Sequence, residues 1–184
     1  MKKLNLVLFI SGVFLLFASC KKDETFSQIS YNKKANELIQ QIITDDSCAC
    51  ILEIPQESMI KTRNNEHPDI EINIEPFIVK KLHLKNTKQL DSLEKVSEKF
   101  ILDTFFLKQK NIQIIKRDFV LDTAIKDRDL ILLKKCPKGI LCFSKPIIDE
   151  RNNVAGIFYT PMFVCLGSPL YIYKFEDNRW IIKQ

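Results

Sequence analysis

Two stretches of the chain carry apolar side chains at the spacing of an amphipathic helix. Between residues 33 and 43 apolar positions recur every three or four residues and polar residues fill the positions between them, which predicts a helix. Its inward side chains would be Ala35, Leu38, Ile39, Ile42 and Ile43. A second helix is predicted with Thr87 as its N-cap and Asp91 and Lys95 paired at i,i+4. Its inward side chains would be Leu90, Leu93, Val96, Phe100 and Ile101.

The residues between these two helices predict strands and a loop. A short strand is expected at residues 50–54, where Pro55 ends it. Residues 56–69 are polar and contain Pro68, so we expect a surface loop. Ile70, Ile72 and Ile74 then alternate with polar residues, the period of a half-buried strand, and residues 77–79 would resume that strand after Pro76.

The second half of the chain is predicted to be mostly strand. The apolar runs that carry this prediction lie at residues 112–115, 119–121, 130–133, 140–143, 154–159, 170–175 and 180–182. Polar segments rich in Asn and Asp, at residues 149–153 and 176–179, separate the last strands as loops of antiparallel hairpins do.

This order of elements predicts an α+β fold. Because strands and helices do not alternate regularly, a parallel α/β sheet is disfavoured. We expect an antiparallel sheet with a C-terminal meander and two amphipathic helices packed on one face. Residues 31–184 suffice for one hydrophobic core and are predicted to form a single domain.

The first nineteen residues have the pattern of a signal peptide. Lys2 and Lys3 make a positive start, and residues 4–17 form an apolar run. A helix over those fourteen residues would reach about 21 Å, which is short of the roughly 30 Å hydrocarbon core of a bilayer. We therefore expect residues 1–19 to be removed.

Phe17, Ala18, Ser19 and Cys20 resemble the lipobox of bacterial lipoproteins, with Phe17 where leucine is usual. The resemblance implies cleavage before Cys20, a diacylglyceryl group on its sulfur and acylation of the new amine. Each buried CH₂ contributes about 0.8 kcal/mol, so several acyl chains would hold the protein on a membrane. The alternative is ordinary cleavage that leaves Cys20 unmodified.

Residues 20–30 are predicted to be the lipidated cysteine and a flexible tether, because they show no periodic apolar pattern. Within them, residues 21–24 (Lys-Lys-Asp-Glu) resemble the short signal that directs lipoproteins of the Bacteroidota to the outer face of the outer membrane. The residues around Ser144–Ile148, Val154, Cys165–Gly167 and Trp180 loosely resemble a C-terminal pattern of uncharacterised Bacteroidota lipoproteins. The first resemblance implies an anchor in the outer membrane and exposure at the cell surface, and the second supports only a location in the cell envelope.

Composition and charge exclude several classes of partner. The net charge is +5, and it falls to +3 when Lys2 and Lys3 leave with the signal peptide, which is too little to indicate nucleic acid. With four glycines the chain has no phosphate-binding loop pattern, and no cofactor is expected. His67 and His83 lack the spacing of a metal site and are interpreted as surface residues.

Five cysteines remain after Cys20, and an exported protein lives where disulfides persist. Leaving one of the five unpaired and joining the other four in three ways gives fifteen schemes that the sequence does not separate. The favoured bridge joins Cys136 to Cys142 across the turn at residues 137–139. Cys48 and Cys50 would share one face of a strand, where they could bridge elsewhere or form a redox or metal site.

Three functions are consistent with these observations. The leading hypothesis is a non-catalytic lipoprotein domain that binds a protein partner at the cell surface or supports the envelope. One alternative is an extracytoplasmic thiol oxidoreductase or metal-binding protein that uses Cys48 and Cys50. Another is an immunity or inhibitor lipoprotein. The aromatic residues Tyr159, Tyr171, Tyr173 and Trp180 either line a ligand groove or, as is commoner, fill the core of the sheet.

Overall fold

The computed structural model describes residues 27–46, 49–66, 73–122, 125–160 and 169–183. Seven helices lie in this part of the chain: α1 (residues 27–46), α2 (Met59–Glu66), α3 (Glu75–Lys81), α4 (Thr87–Glu98), α5 (Thr104–Gln109), α6 (Arg117–Asp122) and α7 (Ile125–Lys135). The seven strands are β1 (Cys50–Leu52), β2 (Gln113–Ile115), β3 (Ile140–Phe143), β4 (Ile147–Asp149), β5 (Val154–Thr160), β6 (Leu170–Glu176) and β7 (Arg179–Lys183). Among the described residues, none of the helices combines the length and apolar character that a membrane span requires.

The strands form one sheet in the order β2-β1-β3-β5-β6-β7, with β4 also paired to β5. The C-terminal strands β5, β6 and β7 pair antiparallel as a meander, so the predicted α+β fold is confirmed. The sheet is mixed, however, because β1 runs parallel to both of its neighbours. The short strand β1 therefore hydrogen-bonds to two strands, β2 and β3, that follow it at a long distance in the sequence.

Helices cover both faces of the sheet. On one face, α1 packs Leu38, Ile39 and Ile42 against a cluster that includes Ile157 and Trp180. The opposite face carries two further clusters, one with residues of α2 and α3 and one with residues of α6 and α7. Helix α4 contributes to both sides: Leu90 packs with the α2 and α3 residues, whereas Val96 packs against the α1 cluster. The two predicted helices thus do not lie on one face alone.

Several predicted strands and the predicted loop are helices. Residues 59–66 form α2 instead of a loop, since Met59 and Ile60 are buried and anchor one side of a very polar helix. Residues 77–79 lie in α3, where Pro76 occupies the first turn, a position in which proline does not interrupt a helix. The predicted strands at residues 119–121 and 130–133 lie in α6 and α7. Residues 70 and 72 of the remaining predicted strand lie outside the described residues.

Helix boundaries also differ from the predicted ones. Residues 27–30, which were assigned to the tether, already belong to α1. The N-cap of α4 is Asn86, whose side chain accepts a hydrogen bond from Gln89 N, and not Thr87. Because α4 ends at Glu98, Ile101 lies outside it and is 70% exposed instead of buried.

Two hairpin loops, between β4 and β5 and between β6 and β7, lie where the sequence predicts them. Asp177 and Asn178 both have positive φ, the geometry of a type I′ turn that connects β6 to β7. Between β4 and β5, the carboxylate of Asp149 accepts hydrogen bonds from Arg151 N and the side chain of Asn152. Side chains thus complete the turn that leads into β5.

Candidate functional site

Two cysteines of the described residues form a covalent link between β1 and the segment after α7. Cys50, at the start of β1, is bonded to Cys136, which follows α7, with a Cα–Cα distance of 5.8 Å. Both residues are fully buried. Cys142 on β3 is also disulfide-bonded, and its partner lies outside the described residues.

The predicted pairing of Cys136 with Cys142 was therefore wrong. Residues 137–139 connect helix α7 to β3 and do not join two strands of a hairpin. Ile140 is the register partner of Cys50, so the turn that precedes β3 brings Cys136 towards β1. Spacing in the sequence favoured the nearer cysteine because it does not reveal that a helix precedes the turn.

The alternative of a Cys48 and Cys50 site does not gain support from this arrangement. Cys50 is bridged to Cys136, and Cys48 lies outside the described residues. A bridged sulfur is not a thiolate, which is the form that binds metals and attacks disulfides. Among the described residues, no group of three His, Cys, Asp or Glu side chains could hold a metal ion.

A buried lysine that the sequence did not indicate lies between β3 and β4. Both strands pair with β5, and the chain between them is held by Ser144, whose N–H donates to Phe158 O and whose hydroxyl accepts from Phe158 N. The next residue, Lys145, is only 5% exposed. Its Nζ donates to the carbonyl oxygen of Gln56 and, at 2.7 Å, to that of Glu98.

Lys145 forms part of the wall of a surface cleft of about 610 Å³, which we call the Lys145 cleft. The other walls include Glu53, Gln56, Glu98, Ile101, Ile114 and Lys116. The cleft thus combines two exposed aliphatic side chains with the Lys116–Glu53 ion pair.

Electrostatics within the Lys145 cleft follow from burial and pairing. Burial lowers the pKa of Lys145, and the Glu98 carboxylate opposes that shift. The pKa of Glu98 is lowered by its hydrogen bond from Lys61, with Nζ and Oε1 2.5 Å apart. Lys116 likewise lowers the pKa of Glu53 through a hydrogen bond.

These contacts define what Lys145 can do. An ammonium group has three N–H donors, so one remains beyond the two carbonyl contacts and could bind an acceptor atom of a ligand in the cleft. The same two contacts also join the segment after β1 to the C-terminal end of α4, where a positive charge is favourable. Lys145 thus has a structural role in joining these two segments.

The aromatic cluster mainly fills the core. Trp180 is 2% and Tyr173 is 5% exposed, and the Tyr173 hydroxyl donates to that of Tyr159 at 3.2 Å. Burial raises the pKa of Tyr159 and of Tyr173, which keeps both hydroxyls protonated. Tyr171 packs against the α1 cluster and also borders a cleft between α3 and the sheet. The commoner interpretation of these rings as sheet core therefore holds for Tyr173 and Trp180.

That second cleft, of about 770 Å³, is basic. Lys80, Lys81 and His83 line it from α3, and Lys174 and Lys183 line it from the sheet. Glu176 forms ion pairs with both strand lysines, which leaves the α3 side with the larger positive charge. His83 is exposed, as predicted, and has φ 54° at the C-terminal end of α3. His67 lies outside the described residues.

No protein-family model, no curated protein and no solved structure matches this chain. Its function is therefore inferred from its own residues. Sequence patterns did not single out Lys145 or Glu98, and the one available signal was a lysine placed between the apolar runs 140–143 and 147–148.

Proposed function

We propose that the protein is a membrane-anchored lipoprotein at the cell surface whose α+β domain binds a partner without catalysing a reaction. The observation that carries this proposal is the Cys50–Cys136 disulfide within a domain that follows a lipobox-like sequence. Disulfides persist in oxidising compartments and are rare in the cytosol. A buried bridge therefore supports export, and the lipobox at Cys20 supports retention on a membrane.

The geometry supports binding more than catalysis. The buried ammonium of Lys145 is held by two backbone carbonyl oxygens, and its neighbour Glu98 is paired with Lys61. A lysine that acts as a base or nucleophile needs the neutral amine. Burial lowers the pKa of Lys145 towards that form, whereas the Glu98 carboxylate and the two carbonyl acceptors favour the ammonium. The walls of the Lys145 cleft are instead suited to hold an apolar group beside an acceptor atom. An immunity or inhibitor lipoprotein would be a special case of such binding.

The anchor is tested with Cys20→Ala. We expect the native protein to sediment with membranes and its intact mass to exceed that of residues 20–184 by the mass of the acyl chains. Cys20→Ala should remain uncleaved or become soluble, whereas Lys33→Ala, an exposed change on α1, should behave like the native protein. A native mass equal to that of the unmodified polypeptide would contradict the proposal.

Surface exposure and binding need separate measurements. Protease added to intact cells should degrade the domain while a periplasmic marker survives. Charge reversal at Lys116, on the rim of the Lys145 cleft, should weaken capture of a surface partner, and Lys138→Glu, an exposed change after α7, should not. Protection of the domain in intact cells would place it on the inner side of the membrane and contradict surface display.

A further inference from the structure

One surface of the domain combines positive charge with an exposed aromatic ring. We call it the basic face, and it consists of Phe77, Lys80, Lys81, His83, Lys85 and Lys88. All six residues are exposed, and the ring of Phe77 is among them at 48%. Residues 76–90 contain no Asp or Glu, although Glu75 and Asp91 flank the segment.

Phe77 and the lysines are arranged as a single patch. Phe77 and Lys81 are one helical turn apart on α3, and Lys81 Nζ lies 5.6 Å from the centre of the Phe77 ring. The basic cleft adds Lys174 and Lys183 beside this helix, where Glu176 partly neutralises them. The patch thus places the apolar ring of Phe77 beside lysine ammonium groups.

The first turn of α1 is linked to both ends of α4: Gln28 Nε2 donates to Lys99 O at 3.4 Å, just past its C-terminal end, and a series of contacts leads to the loop before its N-terminal end. Ser30 Oγ donates to Glu150 Oε2 at 2.6 Å, and the adjacent Asp149 accepts a hydrogen bond from Gln89 Nε2 at 3.2 Å. The same Gln89 side chain accepts from Lys85 N at 2.9 Å. A short series of contacts therefore connects the first described turn of α1 with the loop that carries Lys85.

The tether between Cys20 and the domain is short. Residue 27 is seven positions after Cys20, and even a fully extended chain of that length spans at most about 25 Å. An acyl group on Cys20 would thus hold the start of α1, and with it the whole domain, next to the lipid headgroups.

We propose that the basic face docks on the phosphate headgroups of anionic lipids in the membrane that holds the acylated Cys20. This inference rests on the proposed lipid anchor. Lysines near an anionic surface are attracted to it, and an exposed phenylalanine among them can insert at the level of the headgroups. An acidic protein would satisfy the lysines but gives no reason for an exposed aromatic ring among them, whereas the short anchor keeps the domain beside a surface into which such a ring can insert.

Hydrogen–deuterium exchange on vesicles tests the docking. Mature acylated protein is placed in vesicles of phosphatidylcholine, or of phosphatidylcholine with phosphatidylglycerol, and the peptide covering residues 77–88 is measured. We expect exchange on anionic vesicles to slow at least about threefold, because one lysine near such a surface adds about fivefold to its attraction. High salt should remove the difference, since it screens exposed charges.

Two charge-reversal variants provide the matched comparison. Lys80→Glu, Lys81→Glu, Lys85→Glu and Lys88→Glu, combined in one chain, should abolish the slowed exchange. The same change at Lys108, Lys110, Lys134 and Lys138, which are exposed on and after α5 and α7, should preserve it. Equal loss in both variants would overturn the docking, and the salt response of the native protein provides a readout that depends on no variant.

The outcomes separate docking from anchoring. Protein that floats with neutral vesicles but exchanges equally on both lipids contradicts docking alone. Protein that floats only with anionic vesicles contradicts the anchor alone, and protein that floats with neither contradicts both. Slowed exchange caused by polyglutamate on neutral vesicles, with no effect of anionic lipid, would indicate an acidic protein partner and overturn the proposal.

Discussion

The side chain of Gln41 binds both backbone groups of Trp180. Its Nε2 donates to Trp180 O at 2.6 Å, and its Oε1 accepts from Trp180 N at 2.9 Å. Strand β7 is at one end of the strand order, so the amide of α1 takes the place of a neighbouring strand at this residue. The indole Nε1 of Trp180 is buried without an acceptor among the described residues. The hydrogen bonds that hold Trp180 in place are therefore those of its backbone to Gln41.

Gln41→Ala should destabilise the domain by about 1–3 kcal/mol, because it leaves a backbone donor and acceptor without their partner. Thermal unfolding followed by circular dichroism would measure the change. Gln109→Ala, an exposed change on α5, should stay within about 0.5 kcal/mol of the native protein. Equal melting temperatures for the two variants would show that the amide contact contributes nothing.

Removal of the Cys50–Cys136 disulfide should destabilise the domain more than Gln41→Ala does. Cys50 and Cys136 are 86 residues apart in sequence, and closing a loop of that length stabilises the folded state by about 4–5 kcal/mol in the chain-entropy model. The double variant Cys50→Ala and Cys136→Ala should lose stability of this order in urea unfolding. Peptide mapping without reductant should join the peptides that contain Cys50 and Cys136, and a fragment linking Cys136 to Cys142 would refute this pairing.

Lys145→Met tests whether the buried ammonium stabilises the break between β3 and β4. The substitution removes the donor to Gln56 O and Glu98 O, and each unsatisfied buried acceptor costs about 1–3 kcal/mol. Relief of the charge burial offsets part of this cost, so we expect a net loss of about 1–3 kcal/mol. Lys138→Met, at an exposed position, should be neutral. A Lys145→Met protein as stable as the native one would disprove the structural role.

Glu94 gives a prediction on pH. Its Oε1 accepts from Ile60 N at 3.2 Å, and burial raises the pKa of this carboxyl. The folded state therefore holds the Glu94 proton more tightly than the unfolded state does. The free energy of unfolding falls as the pH rises through the raised pKa. Glu94→Gln keeps the acceptor and cannot ionise, so it should melt a few degrees above the native protein at pH 7.

At pH 4, where native Glu94 is protonated, the two melting temperatures should agree. Asp91→Asn, an exposed change on the same helix, serves as the control and should show no such difference. An advantage of Glu94→Gln that is equal at both pH values would contradict burial as its cause.

The long periodic segments were predictable from sequence, and the short apolar runs were not. In α1, five apolar residues at helical spacing are all buried. The apolar runs at residues 154–159 and 170–175 form β5 and β6, whose side chains pack into clusters on both faces of the sheet. In α7, by contrast, Leu132 is buried while Leu130 and Leu133 are 62% and 47% exposed. A short run of leucines in the sequence has the pattern of a buried strand, and only tertiary packing determines which leucine faces the core.

The candidate site was less predictable because its contacts are distant in sequence. Lys145 meets carbonyl oxygens that lie 89 and 47 residues earlier in the chain, and neither local pattern nor charge indicates such partners. The Cys50–Cys136 bridge is similar, since it depends on the parallel pairing of β1 with β3. Parallel pairs require long crossovers, which leave no turn signal between the two strands.

The position of β1 between β2 and β3 has a consequence for the time at which the protein folds. A ribosome makes β1 long before either neighbouring strand, so this part of the sheet forms only after β2 and β3, at residues 113–115 and 140–143, have followed. A chain that ends before residue 113 therefore lacks both strands that hydrogen-bond to β1. Cys50 is likewise made 86 residues before Cys136, so the native bridge closes only after α7 has been synthesised.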